Sequence, residues 1–481
     1  MKNSTFAIIL IGLFLATPSF AQVNKLIRRA SIATSVMDYD KAIVLYTEAL
    51  AIEPNSYRAN AGKGMVLAEF MQQYESAIPY LLKAQELSPK DSLLRMNNTL
   101  GKSYQYVGNY ARALYYYDII YAHGKEGNPD FDALLGLRIA NCKYALVHTT
   151  VAPKTEQWIK NIGAPINTAM PEYGAVIVGS DLIFTSKRKD TKNEKKNGLD
   201  GKYFESMYKT SLVNGVYAEP VRYTVPYLEE NSIFQSHNEA VVSVSSDGNI
   251  LYIFRDGKLF EVDVNEKVKD PTKLNKNVNI ARFQNHAALS PDASIIYFTS
   301  KPKIDEGGTD IFTATKTSNG KWSTPERLDM TINTDYDEDS PFLDSDGTLY
   351  FSSNGLPGYG GFDVFKTHKE NGRWTTPENL GQPINSPGDD IYFTLAPNSS
   401  EGFYSSARPS GNGDIDIYQV YYNVNRSDNK LEMPIAISSL IIDTIELNDA
   451  PYAIIVLPET VNGTPLEIQS VELAKTAEWQ P

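Results

Sequence analysis

The sequence predicts two architectures in series: an α-solenoid of helical repeats, then a β-propeller of five blades, or six if the tail adds one. Three observations carry this. Tyr297-Phe298-Thr299-Ser300 returns as Tyr350-Phe351-Ser352-Ser353 and as Phe403-Tyr404-Ser405-Ser406. Asp310, Asp363 and Asp416 follow Gly-rich turns at a constant spacing of 53 residues. Asp38-Tyr39-Asp40-Lys41-Ala42 returns as Gln73-Tyr74-Glu75-Ser76-Ala77 and as Asn109-Tyr110-Ala111-Arg112-Ala113. A period of roughly 40–50 residues built of short strands marks propeller blades; a period near 34 built of helix pairs marks a superhelix.

The chain is too long for one core and holds two or three domains: 481 residues, 42% hydrophobic and 21% charged. Its net charge of −13 argues against nucleic acid, because a phosphate backbone wants a basic face. Lys2, the apolar run Phe6 to Leu15 and the small residues of Ser19-Phe20-Ala21 make residues 1–21 read as a cleaved secretory signal. No later run is long and apolar enough for a spanning helix. Cys142 is the only cysteine, so neither an intramolecular disulfide nor a thiolate zinc site can form. It reads as a buried helix residue rather than a reactive thiol.

Residues 23–150 read as the helical repeat. Tyr39, Tyr74 and Tyr110 open equivalent helices, and Ala42, Ala77 and Ala113 let paired helices approach closely. Leu45, Ala49 and Ile52 fall on one face, as do Leu81, Ala84 and Leu87. A last helix, about Asp130 to Leu146, is expected to cap the stack. The pattern resembles the tetratricopeptide repeat. It leaves the ligand open, with Tyr39, Tyr74 and Tyr110 as candidate groove residues.

Residues 155–422 read as the propeller. Units begin near Glu172, Glu239, Gln284, Glu338 and Asp390, each running into a turn such as Ser345-Asp346-Gly347 and an aromatic strand. The first unit is the longest. Its extra length holds Lys187, Arg188, Lys189, Lys192, Lys195 and Lys196, which read as a solvated loop. Asn379-Leu380-Gly381-Gln382-Pro383-Ile384-Asn385 ends the fourth unit, and Asn161-Ile162-Gly163-Ala164-Pro165-Ile166-Asn167 stands before the first. Residues 156–167 should therefore supply the outer strand of the last blade and close the ring. Residues 423–481 form a tail in which Ile435 to Ile442 and Ala453 to Leu457 read as strands.

Chemistry is sparsely indicated. Glu172, Glu239, Glu338, Asp339, Asp389 and Asp390 open the innermost strands and could ring the channel mouth for a cation or a basic partner loop. The plainer account is that they cap strand starts. His237 and His286 fall near blade starts and could meet at the channel; partly exposed strand-end histidines are the plainer account of them. Asp310, Asp363 and Asp416 read as turn formers. No metal-binding helix motif, nucleophile elbow or phosphate loop is present, so neither an enzyme nor a cofactor is expected.

The order of parts resembles a family of envelope proteins from Bacteroidetes bacteria. In these, tetratricopeptide repeats and a TolB/WD-like propeller precede a β domain and an OmpA-like peptidoglycan-binding domain. The residues carrying the resemblance are the Tyr-x-x-Ala repeats, Ser345-Asp346-Gly347-Thr348-Leu349-Tyr350-Phe351, Gly360-Gly361-Phe362-Asp363 and Asn379 to Asn385. It implies a periplasmic scaffold, peripheral on the outer membrane, with envelope or type IX secretion partners. The 59 residues after Tyr422 leave no room for an OmpA-like domain, so peptidoglycan binding is not expected. The alternatives are a carbohydrate or cell-wall-fragment site at the propeller mouth, and, further off, a propeller hydrolase or lyase.

Overall fold

A computed structural model describes residues 17–87, 93–122, 129–149, 157–189, 202–213, 215–224, 238–265, 271–280, 286–301, 307–396 and 400–422, with 460–461 and 464–465 beyond them. The chain forms two compact units, Met1–Asn425 and Arg426–Pro481. Of the second, only a short hairpin, Thr460–Val461 against Thr464–Pro465, is described. The strands expected at Ile435 to Ile442 and Ala453 to Leu457 lie outside the described residues, as do His237, Gln284 and most of the basic loop of the first blade.

The first unit opens with helices α1 (Thr17–Ser35), α2 (Tyr39–Ile52), α3 (Tyr57–Met65, continued by a π-turn Val66–Phe70), α4 (Tyr74–Leu87), α5 (Leu93–Tyr106), α6 (Tyr110–Ala122) and α7 (Pro129–His148). They pack as antiparallel pairs, α1 with α2, α3 with α4 and α5 with α6. Ala42, Ala77 and Ala113 are fully buried at the pair contacts. A Cβ on Gly101 would stand 2.5 Å from the ring of Tyr117, so the α5–α6 approach requires glycine there. From Gly64 to Tyr74 the chain is one residue longer than from Gly101 to Tyr110, and the π-turn lies in the longer stretch. Leu45, Ala49, Leu81 and Ala84 are buried, but Ile52 is not: at the last position of α2 it is 38% exposed, where the helix stops at Glu53.

Five sheets then form the propeller. Strand β1 (Gln157–Asn161) precedes the first blade, β2 (Glu172–Val178), β3 (Asp181–Ser186), β4 (Ser206–Val213), β5 (Val216–Tyr217) and β6 (Val221–Arg222). The second blade is β7 (Glu239–Val244), β8 (Ile250–Arg255), β9 (Lys258–Asp263) and β10 (Thr272–Lys273). The third is β11 (Ala287–Leu289), β12 (Ile295–Ser300), β13 (Asp310–Thr315) and β14 (Glu326–Arg327). The fourth is β15 (Glu338–Leu343), β16 (Leu349–Ser353), β17 (Asp363–Thr367), the hairpin β18 (Lys369–Glu370) with β19 (Arg373–Trp374), and β20 (Glu378–Asn379). The fifth is β21 (Asp390–Leu395), β22 (Glu401–Ser406) and β23 (Asp416–Tyr422). Strand β1 completes the fifth sheet antiparallel to β23, Gln157 facing Tyr422 and Asn161 facing Tyr418. Both ends of the propeller segment thus share one blade, and the ring has no open edge between first and last blades.

Alternation drives the packing. In β12, β16 and β22 the aromatic residues enter the spaces between blades: Tyr297, Phe298, Tyr350, Phe351, Phe403 and Tyr404 are all buried. The Gly-Gly turns let one blade touch the next. A Cβ on Gly308 would collide with the carbonyl of Tyr336, and one on Gly360 with that of Pro387.

The helices meet the propeller at the fourth blade. Asn141 of α7 donates to the carbonyl of Gly360 and accepts from the N–H of Gly358. Tyr144 packs edge-on against Tyr359, 5.6 Å between ring centroids. Tyr359 belongs to the same apolar cluster as α4 to α7.

Candidate functional site

The recurring carboxylates sit where the innermost strands begin. Glu172 accepts from the N–H and hydroxyl of Thr168 and from the hydroxyl of Ser186. Glu338 accepts likewise from Thr334 and Ser353, and Asp390 from Ser386 and Ser406. All three are fully buried. The local sequence explains the geometry. Each follows an Asn-Thr or Asn-Ser step by four residues, so its side chain folds back on the preceding loop and ties it to the second strand. Burial raises Glu338 to about 7 and Asp390 to about 6, while the donors, and Arg408 beside Asp390, pull the other way. Glu239 takes a different partner, Arg255, which stands where the other blades have serine. Asp389 is turned toward the helices and accepts from the N–H of Phe362.

The Asn of each step spans two blades. Asn167 pairs with the backbone N–H and C=O of Ile417, Asn333 with those of Ile311, and Asn385 with those of Val364. Arg188 and Arg408 occupy matching places, donating to the carbonyls of Pro165 and Ile166 and of Pro383 and Ile384. Arg188 thereby belongs to the scaffold rather than to a solvated loop.

One pair of candidates does meet at the channel. His286 and Asp339 stand at the equivalent position of adjacent blades, facing Thr299 and Ser352. The Asp339 carboxylate accepts from His286 Nδ1 at 2.5 Å. Tyr392 reaches in from the fifth blade, edge-on to His286 at 4.6 Å and stacked on Tyr173 at 5.2 Å. These rings lie beside a narrow cavity lined by all five blades, including Gly174, Val242, His286, Ser340 and Tyr392. It holds about 310 Å³ of empty space, counting the part open to solvent. The Ser340 hydroxyl is buried there with no hydrogen-bond partner among the described residues. Ser340 (φ 52°) and Tyr392 (φ 60°) both have left-handed backbone at bulges of the innermost strands. Burial lifts the Tyr392 hydroxyl well above its ordinary value, helped by the charges of Asp339 and Glu205. Among the described residues no group of three or more potential metal ligands occurs.

The repeat tyrosines are wedges between helix pairs. Tyr39 stacks on Phe70 at 5.0 Å and Tyr74 on Tyr106 at 4.4 Å, while Tyr110 is buried beside Cys142 and Tyr359. Sequence reasoning did not single out the charge of the helices. The first helices of the three pairs, with the π-turn, carry seven basic residues and one acidic: Lys25, Arg28, Arg29, Arg58, Lys63, Arg95 and Lys102 against Glu69. The second helices carry three basic and five acidic residues. Side chains link one first helix to the next: Arg58 to Asn24, Thr99 and Lys102 to Glu69, and Arg138 of α7 to Asn98. Segregating charges by helix would have exposed this contrast in the sequence.

No protein-family model matches the sequence, and no curated protein does. Among solved structures, the helices are similar to those of YrrB, a TPR protein with an unusual peptide-binding site (19% identity, TM-score 0.22). That match covers 25% of this chain and 57% of YrrB. The propeller is similar to that of a putative TolB from Agrobacterium tumefaciens (13% identity, TM-score 0.34, 56% of this chain and 91% of that one). It is also similar to that of TolB from Acinetobacter baumannii (13% identity, TM-score 0.32, 60% and 68%). These likenesses concern the fold: a TPR-like helical region followed by a five-bladed propeller.

Proposed function

We propose that this chain is a non-catalytic scaffold of the bacterial envelope, and that its first-helix face receives an acidic, extended segment of a partner protein. The observation that carries the reading is the charge contrast between first and second helices in a chain whose net charge is −13. Such a face attracts carboxylates, whereas the net negative remainder of the chain repels them, so an acidic segment is steered to the first helices. The envelope location rests on the signal-like character of residues 1–21. Among the described residues no helix is long and apolar enough to cross a membrane.

The test is a fluorescence-anisotropy titration of the full chain with a short Asp/Glu-rich peptide and a Lys-rich control. The acidic peptide is expected to bind, more weakly as salt rises, and at least tenfold more weakly to the triple variant Arg28→Glu, Arg58→Glu, Arg95→Glu. Equal binding of both peptides, or none, overturns the reading.

A second reading, a small polar ligand at the propeller mouth, is favoured by one observation, the unpartnered Ser340 hydroxyl in the channel wall beside His286 and Asp339. Saturation-transfer NMR with cell-wall saccharides tests it. Signals that vanish in Ser340→Ala support it, and their absence from the wild type removes it.

A further inference from the structure

The turn on which the helices dock is clasped from both sides. From within, one carboxylate oxygen of Asp363 accepts from the N–H of Tyr359 at 2.7 Å and from that of Gly360 at 3.4 Å. From without, Asn141 bonds the Gly358 N–H and the Gly360 carbonyl, and Tyr144 meets the Tyr359 ring. The fit is close, since a Cβ on Gly358 would collide with the Asp363 carboxylate. Asp363 thus holds the turn in the shape that α7 binds.

Its equivalents each have a side-chain donor on the outermost strand of their sheet. Arg327 bonds Asp310 through two nitrogens, each at 2.7 Å, and Asn161 donates to Asp416 at 2.8 Å. The same register position in the fourth blade is Asn379, which donates to the carbonyl of Pro357 instead. The second oxygen of Asp363 and the hydroxyl of Tyr110 are both buried without a hydrogen-bond partner among the described residues. Around the carboxylate stand Tyr110 from α6, Tyr144 from α7, Tyr359 from the turn, and Asp389 and Asp390 where β21 starts. Cys142 lies beside Tyr110, and Glu378 acts on Tyr144. The nearby cations serve other groups: Arg408 bonds Asp390, and the charge of Lys102 acts on Asp389.

A carboxylate buried without a cation is costly when ionised, so the closed junction selects its neutral form. We propose that the contact between helices and propeller is a proton-coupled latch: Asp363 carries a proton while α7 is docked and gives it up when α7 lifts from the turn at Gly358 to Gly360. Burial pushes the Asp363 carboxyl well above its ordinary value, helped by the charges of Asp390 and Asp389, while the Tyr359 and Gly360 N–H groups pull the other way. Undocked, the carboxyl meets water and titrates near about 3.9. The docked state therefore binds the proton more tightly. Docking is strongest below about pH 4 and weakens as pH rises through the docked-state value, roughly tenfold for each further unit. The first-helix face takes no part, so the latch and acidic-peptide binding succeed or fail separately.

Pulsed electron-resonance distances in the full chain test this, with spin labels on Ala133→Cys in α7 and Arg373→Cys in the fourth blade, both exposed positions. Cys142 stays unlabelled, because it is fully buried and burial pushes its thiol up to about 12. One narrow distance is expected at about pH 5, and a second, longer one in at least half of the molecules at about pH 9, a span that covers the values of buried carboxyls. Asp363→Asn keeps the accepting oxygen and cannot ionise, so the labelled variant should hold the short distance throughout. Glu338→Gln lies within the propeller and should leave the wild-type change as it is. A wild type with one distance at both ends of the span overturns the proposal, as does an Asp363→Asn variant that opens equally or an opening abolished by Glu338→Gln. If Asp363→Asn does not fold, Tyr110→Phe decides. Loss of that hydroxyl makes the surroundings of Asp363 more apolar and should move the opening to higher pH; an unmoved opening overturns the latch.

Discussion

Trp158 lies flat against Tyr421, their ring centroids 3.4 Å apart and their planes 9° from parallel. The two residues are separated by nearly the whole propeller in sequence and are register partners on β1 and β23. The stack therefore belongs to the strand pair that closes the ring. Trp158→Ala should cost about 2 kcal/mol, less than a fully buried tryptophan, because Trp158 is only half-buried. Urea unfolding should show a lower midpoint at an unchanged slope. A loss below about 0.5 kcal/mol would mean that the closing strand is held by its backbone bonds alone.

Glu338 gives the propeller a pH dependence of definite sign. Burial raises its carboxyl to about 7, against the opposing donors Thr334 and Ser353. The folded state therefore holds the proton more tightly than the unfolded chain, whose glutamate titrates near 4.3. This stabilisation is complete below about pH 4 and is lost as pH rises through about 7, a change on the order of a few kcal/mol. Asp390, raised to about 6, adds in the same direction. Glu338→Gln, which cannot ionise, should flatten the fall of melting temperature between pH 4 and 7. An equally steep fall in the variant would show that the site is not responsible.

How much of this could be read from the sequence depends on whether a contact lies within the repeat or across it. Asn161 to Asn167 and Asn379 to Asn385 match letter for letter at most positions because both make the same bonds. Asn161 and Asn379 each accept from the glycine two residues on and from the asparagine six residues on. Asp310, Asp363 and Asp416 look alike in sequence yet differ in surroundings. Asp310 pairs with Arg327 near the surface, and Asp416 accepts from Asn161 and Asn412. Asp363 is buried beneath the helices and, like Asp416, has one carboxylate oxygen with no hydrogen-bond partner among the described residues. Nothing in the blade phrase announces that a helix covers it. The meeting of His286 with Asp339 is likewise set by how adjacent blades twist together, which spacing does not encode.

The bond between Asn141 and the turn at Gly358 and Gly360 should couple helices and propeller into one cooperative transition. Asn141 is 3% exposed, so Asn141→Leu leaves the Gly358 N–H buried without an acceptor, a loss of about 2 kcal/mol at the junction. Calorimetry should then resolve two transitions where the wild type shows one. Joint substitution of Tyr359 by alanine should separate them further, since it removes the ring that α7 packs against. One unsplit transition in the double variant would show that the two parts are coupled elsewhere.

Tyr392 combines an unfavourable backbone with a favourable ring, and two substitutions separate the terms. Its φ of 60° crowds any Cβ and costs about 1–2 kcal/mol in a residue other than glycine. Its ring offsets this by stacking on Tyr173 and meeting His286 edge-on. Tyr392→Ala removes the ring and keeps the crowding. Tyr392→Gly removes both, though the unfolded glycine is more flexible and gives back part of the gain. Both variants should be less stable than the wild type, with the glycine variant above the alanine variant by about 0.5–1 kcal/mol in urea unfolding. Equal stabilities would mean that the bulge relaxes once the ring is gone. In that case the left-handed conformation is imposed by the ring's place in the channel rather than by the register of β21 against β22.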